Sequence, residues 1–122
     1  PPRSTLFPYT TLFRSYRIHG EKIGFGLAET LHAEPLLKRR EELAAALVRI
    51  KKERNLDRLL FGVKDLNAKR LYLLGSAAEE RELAARAYHS AIYSNQDGWI
   101  VLKKTSRKKY LIPALEQELS GR

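Results

Sequence analysis

Apolar and polar positions change their spacing several times along this chain, and each change marks an element. Tyr16–Ile18 and Lys22–Leu27 are short β-prone runs separated by His19-Gly20-Glu21, the pattern of a hairpin with a glycine-containing loop. Gly24 and Gly26 alternate with Ile23, Phe25 and Leu27, so both glycines fall on one face of that strand. Such a face permits close approach by a ligand or another backbone, and it equally suits a twisted edge strand. Pro35 fits the first turn of a helix. From there Leu36, Leu37, Leu43, Ala44, Leu47, Val48 and Ile50 recur at three and four, predicting one helix to about Arg54 with Asn55 just past its end. Leu59, Leu60, Phe61 and Val63 are nearly continuous, as in a strand covered on both faces. After a turn at Asp65–Ala68, Arg70–Leu74 reads as the next strand. Ser76 and Glu79 form a capping-box pattern for a helix from Ala77 to about Tyr88. Asn95–Gly98 reads as a turn, Trp99–Leu102 as a further core strand, and Pro113 opens a last helix over Ala114–Leu119. The expected fold class is α/β: a single small domain with a mixed β-sheet and helices packed on its faces.

Length and composition narrow the functional classes. The 122 residues allow one modest core. With no cysteine, disulfide frameworks, zinc ribbons and thiol nucleophiles are excluded. The apolar runs are too short to span a membrane, and no basic-then-apolar leader opens the chain, so the cytoplasm is the expected compartment. Lys and Arg number 23 against 14 Asp and Glu, a net charge of +9 that favours anionic partners.

Lys103-Lys104-Thr105-Ser106-Arg107-Lys108-Lys109 is the densest chemical feature, five cations in seven residues leaving a core strand. Arginine binds phosphate bidentately, lysine adds a point charge and the hydroxyls add donors. A basic surface loop is the plainer reading of the composition. His19, His32 and His89 are scattered, without metal-ligand spacing, and Asp65 reads as a turn-capping acid. No glycine-rich phosphate loop or Ser-His-Asp arrangement is present.

Residues 3–15 repeat Thr-Leu-Phe at 5–7 and 11–13, with Pro8 between and no structural period. The string resembles an in-frame translation of a DNA sequencing adapter. Residues 1–15 are therefore expected to be non-native and disordered, with the natural domain over 16–122 and an upstream part missing.

Ser106-Arg107-Lys108-Lys109, followed by Tyr110-Leu111-Ile112-Pro113-Ala114-Leu115-Glu116, resembles the C-terminal signature of manganese-dependent (family II) inorganic pyrophosphatases, in the DHH-associated C-terminal domain. Further segments resemble that domain in order. They are Lys22-Ile23 with the strand to Glu29, Lys38-Arg39-Arg40-Glu41-Glu42-Leu43, Asn55-Leu56-Asp57, and Val63-Lys64-Asp65-Leu66. The resemblance implies a two-domain hydrolase that splits pyrophosphate into two phosphates. An N-terminal DHH domain would hold Mn²⁺ or Mg²⁺ through Asp and His, and this domain would clamp the substrate. Arg107 and Lys108 match its substrate-contacting Arg and Lys, Lys109 the second Lys, and Ser106 opens the signature. The DHH triplet is absent, so the chain alone is not expected to turn over. Three positions depart from the pattern: Tyr110 and Leu27 stand where the family has Gln, and a further substrate Lys falls on Arg14, inside the adapter-like string. A related exopolyphosphatase would use the same closing domain. A small basic RNA-binding module is the competing class; against it, Tyr72, Tyr88 and Trp99 sit at core-like positions.

Overall fold

A computed structural model describes residues 7, 11–88, 93–102 and 111–120. In chain order the elements are β1 (Leu12–Ile18), β2 (Glu21–Thr30), α1 (Glu34–Leu37), α2 (Arg40–Glu53), β3 (Arg58–Asp65), β4 (Arg70–Gly75), α3 (Ala78–Ala87), β5 (Tyr93–Gln96), β6 (Trp99–Leu102) and α4 (Leu111–Ser120). The six strands form one sheet in the order β1-β2-β3-β4-β6-β5. The β2–β3 pair is parallel and every other pair is antiparallel. The mixed α/β architecture read from the sequence is the one observed.

The central strands bury both faces, and alternation sorts their side chains into two cores. Leu60, Leu71, Leu73, Ile100 and Leu102 point to one face, where Leu83, Ala84 and Ala87 of α3 and Ala114, Leu115 and Leu119 of α4 cover them. Leu59, Phe61, Val63, Leu74, Trp99 and Val101 point to the other, against Leu36 of α1 and Leu43 and Leu47 of α2. The glycines of β2 lie on the second face, and side chains fill the space above them. A Cβ at Gly24 would stand 2.5 Å from Leu56 Cδ1; at Gly26 it would stand 2.6 Å from the Phe13 ring and 2.8 Å from that of Phe61. Between the alternatives open at these glycines, the structure supplies core packing. Because β1 pairs outside it, β2 is not an edge strand.

Four expectations are corrected. The first strand begins at Leu12 rather than Tyr16: Leu12–Ser15 pair with Gly24–Leu27. These four residues are therefore part of the sheet, against the expectation of disorder through residue 15. Main-chain pairing along the outer side of a ten-residue β2 accepts almost any sequence, and Phe13 adds a ring stacked on Phe61 at 6.2 Å and 17°. The single helix expected from Pro35 is broken after Leu37, whose carbonyl accepts the Trp99 indole N–H at 3.3 Å. The acid that serves α3 is Glu80, not Glu79. Its Oε2 accepts both the backbone N–H and the hydroxyl of Ser76 at 2.8 Å, while Ala77 holds the N-cap position. Finally, Tyr93–Gln96 adds a strand, β5, paired with β6 across a tight turn in which Asp97 and Gly98 both have positive φ (51° and 83°).

Candidate functional site

Strand direction decides where ligands gather. In open α/β sheets that place lies beyond the carboxyl ends of the strands. β2, β3 and β6 all run the same way, and their carboxyl ends at Thr30, Asp65 and Leu102 share one end of the sheet. Leu102 is fully buried opposite Leu71, and from it the chain passes into the basic segment. It re-enters the core on α4 through Ala114 and Leu115. The predicted substrate residues Ser106, Arg107, Lys108 and Lys109 lie outside the described residues, as does His89. What the structure supplies is the frame: a core strand before them and a core helix after them.

The neighbouring loops at this end are tied to one another through Asp65. Its Oδ1 accepts the backbone N–H groups of Ala68 (2.7 Å) and Asn67 (2.9 Å), and its Oδ2 that of Ala33 (3.0 Å). The N–H of Leu66 donates to the Thr30 carbonyl at 2.8 Å, and the Thr30 hydroxyl bonds the backbone of His32. The Ala68 bond foremost, then that of Ala33, hold the Asp65 carboxyl below the usual range, against the opposing effect of burial. The turn-capping reading of Asp65 is thus the observed one. An Asp65→Asn change keeps the acceptor but turns one N–H donor toward another, so stability at pH 7 is expected to fall by about 1–3 kcal/mol in denaturant melts. The sign with pH follows from the lowered folded value. The Asp65 contribution is complete above the unfolded aspartate range near pH ~3.9 and is lost as pH falls below it. The Asn variant is expected to lose that part of the acid sensitivity; an unchanged acid limb would mean these bonds are energetically idle.

At the opposite end Asp57 does similar work, accepting the Lys22 N–H at 2.8 Å while its own N–H donates to the Lys22 carbonyl. Asn55 takes a left-handed conformation (φ 53°) to end α2. Most segments that carry the family resemblance therefore build the frame rather than the site.

One concavity on the other face of the sheet is a poor phosphate site. A cleft of about 600 Å³ beside Trp99 and Tyr72 is rimmed by Lys38, Arg39 and Arg40. Lys38 is paired with Glu34 at 3.2 Å and Arg39 with Glu42 at 2.8 Å, so its rim charges are largely balanced. Arg14 is exposed on β1, opposite Phe25. His19 occupies the β1–β2 turn. Tyr88, pushed up to about 12 by burial, stays protonated near neutrality. Among the described residues no three His, Cys, Asp or Glu side chains converge to hold a metal ion. Also among them, no helix is long and apolar enough to cross a membrane.

Two features at this level had no local signature in the sequence. One is the Lys51–Glu80 pair, at 2.8 Å, in which the carboxylate is 1% exposed. The other is a pair of exposed leucines, Leu31 and Leu66, at the strand ends beside Asp65.

No curated protein sequence matches the chain. Over 89% of its length it superposes on a Methanococcus jannaschii protein described as a family II inorganic pyrophosphatase, with a TM-score of 0.68 and 22% identity. It spans about a third (34%) of that neighbour. The DHHA2 domain model matches residues 12–118, which include β1–β6 and most of α4. With nearly the whole chain accounted for by that match, it belongs to the DHHA2 domain family.

Proposed function

We propose that this chain is the substrate-clamping C-terminal domain of a metal-dependent inorganic pyrophosphatase. In this reading Arg107 grips a terminal phosphate bidentately, Lys108 and Lys109 add point charges, and Ser106 donates a hydroxyl hydrogen bond. Charge held ready at the leaving phosphate lowers the barrier to breaking the P–O–P bridge. The metal, Mn²⁺ or Mg²⁺, is assigned to the N-terminal DHH domain, and with it the activation of water. The observation that carries the reading is the position of Leu102. The most cationic segment of a DHHA2 domain follows directly from a buried strand, at the end where β2 and β3 also finish. A nonspecific basic surface has no need of that position.

Calorimetric titration of pyrophosphate into the chain tests it. Weak binding is expected, and Arg107→Ala and Lys108→Ala are each expected to weaken it about tenfold, the scale of one charge-assisted bond. Arg49→Ala, an exposed change on α2, serves as the charge-matched control. If all three behave alike, the segment is merely basic surface. Polyphosphate remains a second substrate candidate because Tyr110 replaces the family Gln; tighter binding of longer chains would favour it. RNA binding with a steep salt dependence would support the competing class. The adapter-like origin proposed for residues 3–15 is tested by the genomic DNA upstream of Tyr16.

A further inference from the structure

The cleft on the α1–α2 face of the sheet, about 600 Å³, has the size of a small-molecule site, about 300–1,000 Å³. Leu37, Tyr72, Trp99 and Val101 give it an apolar floor. That floor is fixed in advance, because the Trp99 ring is buried and its indole N–H donates to the Leu37 carbonyl at 3.3 Å. Lys38 and Arg39 at the rim are matched by Glu34 and Glu42. Arg40, Glu41 and Asp97 also line the cleft, and none of them makes an ion pair among the described residues. Gly98 brings Arg40 beside Asp97. A Cβ at position 98 would stand 2.6 Å from Arg40 Cδ and Nε, so the arginine side chain lies directly against the backbone of the β5–β6 turn.

Opposite unmatched charges above an apolar floor select one chemistry. A phosphate gains Arg40 but meets Asp97 and Glu41, and a simple cation gains the acids but meets Arg40. A zwitterion satisfies both, and an apolar group attached to it covers the floor. We propose that this cleft binds a free α-amino acid with a large apolar side chain. Its carboxylate lies on Arg40, its ammonium on Asp97, and its side chain over Tyr72 and Leu37. The site is separate from the proposed clamp. Tyr72, Trp99 and Val101 face α1 and α2, whereas α4, which follows the basic segment, packs on the opposite face. Amino-acid binding therefore stands or falls independently of the pyrophosphatase reading.

Trp99 is the only tryptophan of the chain, so its indole N–H resonance reports directly on the cleft. L-Phenylalanine is titrated into the isotope-labelled chain. A saturable shift of that resonance is expected, with a Kd of about 1 mM or tighter. Phenethylamine lacks the carboxylate and phenylpropionate lacks the ammonium; each is expected to bind about tenfold more weakly or worse. Arg40→Gln is expected to weaken phenylalanine about tenfold and to leave phenethylamine unchanged. Asp97→Asn is expected to weaken phenylalanine by a similar factor and to leave phenylpropionate unchanged. Asparagine accepts the positive φ of 51° at position 97, so the turn is kept. Absence of a saturable shift overturns the proposal, as does equal binding of the three ligands or phenylalanine binding that neither substitution weakens. A shift produced by pyrophosphate and not by phenylalanine would assign the cleft to anions and overturn it as well.

Discussion

On the proposed clamp reading, Arg107→Ala in a protein that also carries the metal-binding domain is expected to lower turnover by roughly 10²-fold or more, and Lys108→Ala similarly. The size follows from where charge develops. As the P–O–P bridge breaks, negative charge accumulates on the departing phosphate, and a guanidinium already in place stabilises the transition state more than bound pyrophosphate. The loss therefore falls on kcat as well as kcat/KM. No Asp or Glu lies between Gly98 and Leu115, so the five cations of 103–109 have no acidic neighbour in sequence. A bound phosphate relieves the repulsion among like charges. Arg107→Lys keeps the charge and loses the fork, so it is expected to recover only part of the rate. Arg49→Ala should match the parent. Steady-state phosphate release with Mn²⁺ or Mg²⁺ is the measurement. Equal rates for Arg107→Ala and Arg49→Ala would remove the chemical support for the clamp.

Deleting residues 1–15 is expected to destabilise the chain by about 3 kcal/mol or more, lowering Tm by roughly 10 °C. The deletion leaves only Tyr16–Ile18 of β1 and uncovers the outer side of β2 from Gly24 to Leu27. It also removes Phe13, which stacks on Phe61, fills the space over Gly26 and carries the Arg54 guanidinium at 5.4 Å from its ring centroid. Deleting only 1–10 keeps that pairing and loses the edge-on contacts of Phe7 with Phe13 and Phe61, so about 1 kcal/mol is expected. Thermal melts of the two deletions separate the cases. Identical midpoints would show that Leu12–Ser15 pair without stabilising the fold.

The central architecture was legible because its signals are local. β3, β4 and β6 are apolar runs bounded by turn residues, and the α2 stripe repeats at helical spacing. The elements that escaped reading depend on partners distant in sequence. Tyr-Ser-Asn-Gln has no apolar alternation and becomes β5 only because β6 folds back on it. Glu79 and Glu80 are indistinguishable as helix-start acids until Lys51, 29 residues earlier, is brought beside one of them. The break between α1 and α2 leaves a carbonyl for Trp99, 62 residues away. The basic segment was conspicuous since charge density is a property of consecutive residues. The exposed pair Leu31 and Leu66 was not, since only the pairing of β2 with β3 decides which side chains are left uncovered at that end of the sheet.

That one parallel pairing also bears on how the chain reaches its native state. β2 and β3 join residues 35 positions apart, whereas β1–β2 and β5–β6 close across turns of two residues. A hairpin forms in about 1–10 μs, but the long connection through α1 and α2 must be ordered before Ile23 to Thr30 gain their partners. The β2–β3 seam is therefore expected to form in the slow step of folding. Substitutions along it, such as Val63→Ala, are expected to act mainly on the folding rate. Changes in the β5–β6 hairpin should instead speed unfolding. The strands whose carboxyl ends share one end of the sheet are thus also those expected to set the pace of folding.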